Sequence, residues 1–202
     1  MIEFKKVKYT YYSKFYTLFD FSYKFNEGNY ALVGDDVSGP LTLIRLIAKL
    51  DTHYKGEILI NNKSLKKTNY KKDFQVAYIS ATPRFFNSKT ILENVAYPLK
   101  SRNMSKDERN NIALVTLSNF GWKDKANIKV SELSNKADLI TLALIRASVR
   151  KLDVLLCENI FDIVPPTILD KISATTKIVV TPDYNNFEGY TSLLFNLGNL
   201  DK

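Results

Sequence analysis

Hydrophobic and polar positions along the chain change their period several times. β-rich or alternating runs bounded by turn residues cover 2 to 10, 17 to 25, 29 to 34 and 57 to 61, and a period of two is the mark of a half-buried strand. Between the third and fourth of these, Pro40 to Leu50 places Leu43, Ile44, Ile47 and Leu50 on one face at helical spacing, with proline in the first turn, where its missing N–H costs nothing. A short strand, QVAYIS at 75 to 80, precedes a helix-rich stretch from 91 to 128. There Ser105 and Glu108 form the capping-box spacing for a helix starting near 106. Residues 137 to 151 are apolar nearly all round and predict a buried helix. The runs 153 to 157, 177 to 181 and 192 to 197 predict further strands. Apolar strands alternating with helices imply a parallel sheet covered on both faces.

Composition narrows this picture. With 202 residues, 45% of them hydrophobic and 25% charged, the chain can bury one sizeable core. No run of about 18 uncharged apolar residues occurs and the first residues lack a signal-peptide order, which places the chain in the cytosol as an expectation. Cys157 is the only cysteine, which excludes internal disulfides and a cysteine-built zinc site. A formal charge of +8 and a pI near 9.3 raise nucleic acid or an anionic surface as partners. The lysines are scattered, however, and no recognised nucleic-acid motif is present, so nucleic acid is not expected.

The stretch GDDVSGPLTLIRLIAKL at 34 to 50 carries the most chemistry. Gly34 and Gly39 lie five apart, follow an apolar strand and open a helix, the layout of a loop that wraps phosphate with backbone N–H groups and a helix N-terminus. Such a loop needs a lysine to neutralise the phosphate and a hydroxyl for magnesium. Gly34, Ser38, Gly39 and Thr42 fit the pattern, whereas Pro40 stands at the lysine position and Leu41 at the hydroxyl position. Asp35 and Asp36 add negative charge at the mouth, and either carboxylate would itself suit the helix N-terminus.

In order and spacing, six segments from residue 1 to about 183 resemble the nucleotide-binding domain of an ATP-binding cassette (ABC) transporter. The first is the strand-rich front that ends at the glycine loop, and the second is YKGEILINNKSLKK at 54 to 67. QVAYISATPRFFNSKTILENVAYPLKSR matches the stretch through the glutamine-bearing loop, and KVSELSNKA at 129 to 137 sits where the signature LSGGQ is expected. RKLDVLLCENIF at 150 to 161 corresponds to the Walker B strand, and KIVVTPD at 177 to 183 to the strand before the switch histidine. The resemblance implies an α/β P-loop NTPase fold with a mixed central sheet, an antiparallel front sheet and a helical subdomain. It divides the chain into a core of 1–82 and 137–202 and a helical subdomain of 83–136.

It also implies roles. Tyr11 falls at the position that stacks on adenine, with Tyr9 and Tyr12 as competitors. Glu158 replaces the metal-orienting aspartate, and Asn159 the glutamate that would act on water; an amide has no usable pKa for that task. Ala81 stands for the glutamine and Pro182 for the histidine. Ser134 is either the contact to a partner's nucleotide or a helix cap. No catalytic or metal-binding residue is therefore assigned.

The expected function is a subunit without ATPase activity, structural or regulatory, which needs no cofactor. The alternative is an ATP-binding subunit with divergent motifs that uses ATP and magnesium. The implied partner is a membrane subunit or an active ABC ATPase, with a dimer allowed and a position peripheral to the inner membrane face. TILENVAYPL at 90 to 99 is the expected docking stretch, with reversal of Glu93 weakening it while leaving the fold intact. Phe85 and Phe86 are either interface anchors or core.

Overall fold

A computed structural model describes residues 1–10, 17–34, 39–70 and 73–195. The chain forms two compact units.

The first unit comprises residues 1–78, 153–159 and 174–202. Its antiparallel sheet runs β2 (Leu18–Phe25), β1 (Ile2–Tyr9), β4 (Lys55–Ile60), β5 (Lys63–Ser64). Alternation in β1 sends Ile2, Phe4, Val7 and Tyr9 inward, with one extra residue absorbed between Lys5 and Lys8 opposite β4. The second sheet has the order β6 (Val76–Ile79), β7 (Leu152–Glu158), β8 (Ala174–Thr181), β3 (Gly28–Val33), β9 (Thr191–Leu194). β3 is parallel to both β8 and β9. Leu152 N–H donates to Ser173 O and Asn159 N–H to Val180 O, a constant offset that makes β7 and β8 parallel as well. Apolar runs in β7 and β8 meet the expectation for strands covered on both faces.

Helix α1 (Pro40–Ile47) buries Leu43, Ile44, Leu46 and Ile47 in the same core as β1, β3 and β7. The expected apolar face included Leu50, which is 53% exposed. The helix ends at Ile47 and Lys49 takes a left-handed φ of 58°, so the chain turns away before Leu50 can join that face.

The second unit comprises residues 79–152 and 160–173. It contains α2 (Ile91–Ala96), a 3₁₀ turn at Tyr97–Ser101, α3 (Lys106–Asn119) and α4 (Lys136–Ser148). Ile91, Val95, Leu117, Leu142 and Ile145 share one core, so residues 137–152 cluster with the helices although the sequence grouped them with the strands. Each of α2 and α3 begins with a capping box. Thr90 Oγ1 accepts from Glu93 N–H at 3.1 Å while Glu93 Oε2 accepts from Thr90 N–H at 2.9 Å. Ser105 and Glu108 repeat this at 3.2 and 2.7 Å. Most of the net positive charge falls on this unit.

Candidate nucleotide site

β3, β7 and β8 run parallel, and ligands of such sheets sit at the carboxyl ends of the strands. Two loops leave that end of the first unit. Gly34 follows β3, and its N–H donates to Thr181 O at 3.4 Å. Asn159 follows β7, and its N–H donates to Val180 O at 3.2 Å. The last two carbonyls of β8 thus hold both the start of the glycine loop and the end of the acid-bearing strand.

Gly39 caps α1 with φ 108° and ψ −16°, and its carbonyl accepts from Leu43 N–H at 3.1 Å. A Cβ there would lie 3.2 Å from both Leu18 Cδ2 and Thr17 O, so the positive φ favours glycine and the tight surroundings add to it. Pro40 is the first helical residue and is buried. It preorganises the helix start, but removes the N–H that a phosphate would meet there and contributes no charge. Leu41 is half-buried, and Thr42, the next residue, is 1% exposed. Gly34 thus follows β3 and Gly39 opens α1, with a proline and not a cation next in the chain.

Glu158 closes β7, and its Oε2 accepts a hydrogen bond from the Tyr78 hydroxyl at 2.5 Å. Tyr78 lies on the neighbouring strand β6. Burial, then the hydrogen bond and charge of Glu158, raise the Tyr78 phenol well above its ordinary value, while Arg45 opposes them. Arg45 of α1 is ion-paired with Asp51 at 2.8 Å. Asn159 adopts a left-handed φ of 38°, a conformation that asparagine tolerates better than most residues.

Of the residues singled out from the sequence, Gly34, Gly39, Thr42 and Glu158 belong to the first unit. Ser134 belongs to the second. It is exposed, and the cap of α4 is its neighbour Asn135, whose Oδ1 accepts from Ala137 N–H at 2.9 Å. Tyr11, Ser38, Asp35 and Asp36 lie outside the described residues. His53 is an exposed loop residue. Tyr78 and Arg45 were not singled out from the sequence. The available signal was a hydroxyl-bearing aromatic inside an otherwise apolar strand, since a buried phenol seeks a partner.

Magnesium requires a shell of oxygen ligands in near-octahedral geometry. Here position 41 offers a hydrocarbon, and the Glu158 carboxylate already accepts from Tyr78. Among the described residues, these two positions do not complete such a shell.

A phosphate-loop framework at the carboxyl ends of a parallel sheet, an antiparallel sheet and a separate helical unit define a P-loop NTPase-type α/β fold. The sequence profile of the family described as ABC transporter matches residues 18–161. The chain belongs to that family. It is 29% identical over 201 residues to the methionine import ATP-binding protein MetN of Clostridioides difficile, covering 96% of this chain and 60% of that one. It is 32% identical over 147 residues to the methionine import ATP-binding protein MetN 1 of Oceanobacillus iheyensis, covering 68% and 42%. The chain thus spans 60% and 42% of the length of these two curated relatives. Among solved structures, a dimeric ATP-binding cassette in a post-hydrolysis state with ADP and Pi superposes with a TM-score of 0.80 at 24% identity. That likeness, over 97% of this chain and 94% of the other, is one of fold.

Proposed function

We propose that this chain is the cassette subunit of an ABC transporter, able to take nucleotide at a divergent phosphate loop but not to turn it over with its own residues. The names of its relatives, ATP-binding proteins for methionine import and, in Buchnera aphidicola, for lipoprotein release, support the nucleotide-binding alternative over a subunit that needs no nucleotide. The observation that carries the loss of turnover is the set Pro40, Glu158 and Asn159. A neutral ring stands at the lysine position, and an amide stands where water must lose a proton. Each such deletion costs several kcal/mol of transition-state stabilisation in a dry site.

The proposed partner is a membrane subunit, docking on the second unit. A groove of about 290 Å³ there is lined by Phe86, Lys89, Glu93, Tyr97, Lys100 and Arg109 among others. Phe86 and Tyr97 are both near half exposed and meet at a tilt with ring centroids 4.6 Å apart, an exposed aromatic pair of the residue types enriched among interface anchors. Phe85, in contrast, packs on the helical core under the Arg146 guanidinium, 4.4 Å from its ring centroid. Glu93 is half of the α2 capping box and also pairs with Lys89 at 3.1 Å. Its reversal would therefore loosen the helix start, contrary to the expectation of an undisturbed fold.

Nucleotide calorimetry and phosphate release, with the chain alone, test the reading. The expected result is measurable ADP or ATP binding with phosphate release at the background rate. Turnover on the order of 1 s⁻¹, within the ordinary enzyme range, would overturn it.

A further inference from the structure

Glu158 occupies the position at the end of β7 where the fold family keeps a metal-orienting acid, yet its carboxylate faces a phenol. The Tyr78 hydroxyl donates its one proton to Oε2 at 2.5 Å, across adjacent strands of one sheet. An O–H···O contact of this length lies at the short end of the range for hydroxyl donors. Arg45, which acts on the same phenol in the opposite sense, is anchored by Asp51 at 2.8 and 3.4 Å. All four side chains come from the first unit, from α1, the turn after it, β6 and β7. An aspartate would be one methylene too short to span the same distance with the strand unmoved, so the longer acid and the tyrosine explain each other. With Leu41 giving no oxygen at the hydroxyl position of the loop, the set supplies a tether in place of a metal shell.

We propose that Glu158 is the acceptor half of a Tyr78–Glu158 latch joining the ends of β6 and β7, and that nucleotide bound by this chain is held without a divalent cation. The second half rests on the nucleotide reading above; the latch does not.

The experiment uses the full chain as wild type, Tyr78→Phe, Glu158→Gln and the double variant. Manganese binding is read by water-proton relaxation with Mn²⁺ alone and with ADP, ADP affinity is measured in EDTA and in Mg²⁺, and thermal unfolding completes a double-mutant cycle. The latch predicts that each single variant lowers Tm and that the double lowers it no further than the worse single. It also predicts no saturable Mn²⁺ site on the wild type, and ADP affinities in the two buffers within about twofold. A saturable Mn²⁺ site that disappears in Glu158→Gln, an affinity about tenfold tighter with Mg²⁺, or additive Tm losses would overturn the proposal. Absence of ADP binding in both buffers would sink the nucleotide reading, with the latch still decided by Mn²⁺ alone and by the cycle.

Discussion

Replacing Pro40 by lysine returns the cation to a loop that has kept its glycines. An ammonium about 4 Å from a phosphate gains roughly 4 kcal/mol at an effective dielectric of 20. Against this, ordering a lysine side chain costs up to about 2 kcal/mol. Losing the preorganised proline costs roughly 0.4–1 kcal/mol of folding stability through the unfolded chain and leaves the affinity of the folded protein untouched. The net gain in binding is about 2 kcal/mol, or roughly 30-fold in affinity. Pro40→Ala is the matched control, because it restores the N–H at the first position of α1 without the charge. Titration of a fluorescent ADP analogue should rank lysine above alanine above proline, and the lysine gain should shrink with added salt. Phosphate release should stay at background in every variant, because Asn159 still supplies no base. If Pro40→Lys binds no tighter than Pro40→Ala, the missing cation is not what limits this site and the reasoning fails.

Gly56, in β4, has φ +85°, and a Cβ there would meet Lys6 O at 2.4 Å and Lys5 O at 2.7 Å. Gly56→Ala should cost about 2 kcal/mol or more and lower Tm by roughly 4–8 °C in calorimetry; an unchanged Tm would show that the bulge in β1 yields freely. Tyr70 is raised above its ordinary value by burial first and Tyr54 second, and its hydroxyl donates to Ile47 O. A raised phenol contributes stability that is complete below its unfolded value of about 10 and is lost as pH climbs towards the folded value. Chemical denaturation should therefore show stability falling above about pH 10, with a shallower fall in Tyr70→Phe. Phe86→Ala with Tyr97→Ala should weaken capture of a membrane subunit by about 30-fold, the effect of losing about 2 kcal/mol of anchor, while far-UV dichroism stays unchanged.

The ladder of strands and helices was legible because the period of apolar residues is a local property. β1, α3 and β7 follow it within a residue or so, and both Ser105 and Glu108 stand where the capping spacing put them. The overreach of α1 to Leu50 came from a helical period that continues past a residue whose backbone leaves the helix. The glycine framework of the site was equally local, since Gly34 and Gly39 declare a loop by spacing alone. The partner of Glu158 was not legible. Tyr78 is 80 residues away, and only strand adjacency brings the two together. Glu93 is the opposite case: its capping partner Thr90 is only three residues away, at the spacing that marked Ser105 and Glu108, so the role of its carboxylate in closing the helix turn was a local signal that the docking expectation passed over. Residues 137–152 cluster with the helices because their apolar side chains share a core with α2 and α3, a packing relation that order along the chain does not encode.

One strand end carries an unusual share of responsibility. Because Thr181 and Val180 offer their carbonyls to Gly34 on one side and Asn159 on the other, the glycine hinge and the acid-bearing segment are yoked to the same two peptide units. Pro182 follows at once and has no N–H with which to carry the ladder onward, so the yoke sits at the very tip of the sheet. A shift of this tip would displace Gly34 and Asn159 in concert. Changes in β8, a strand with no candidate site residue of its own, are consequently able to move both segments at once.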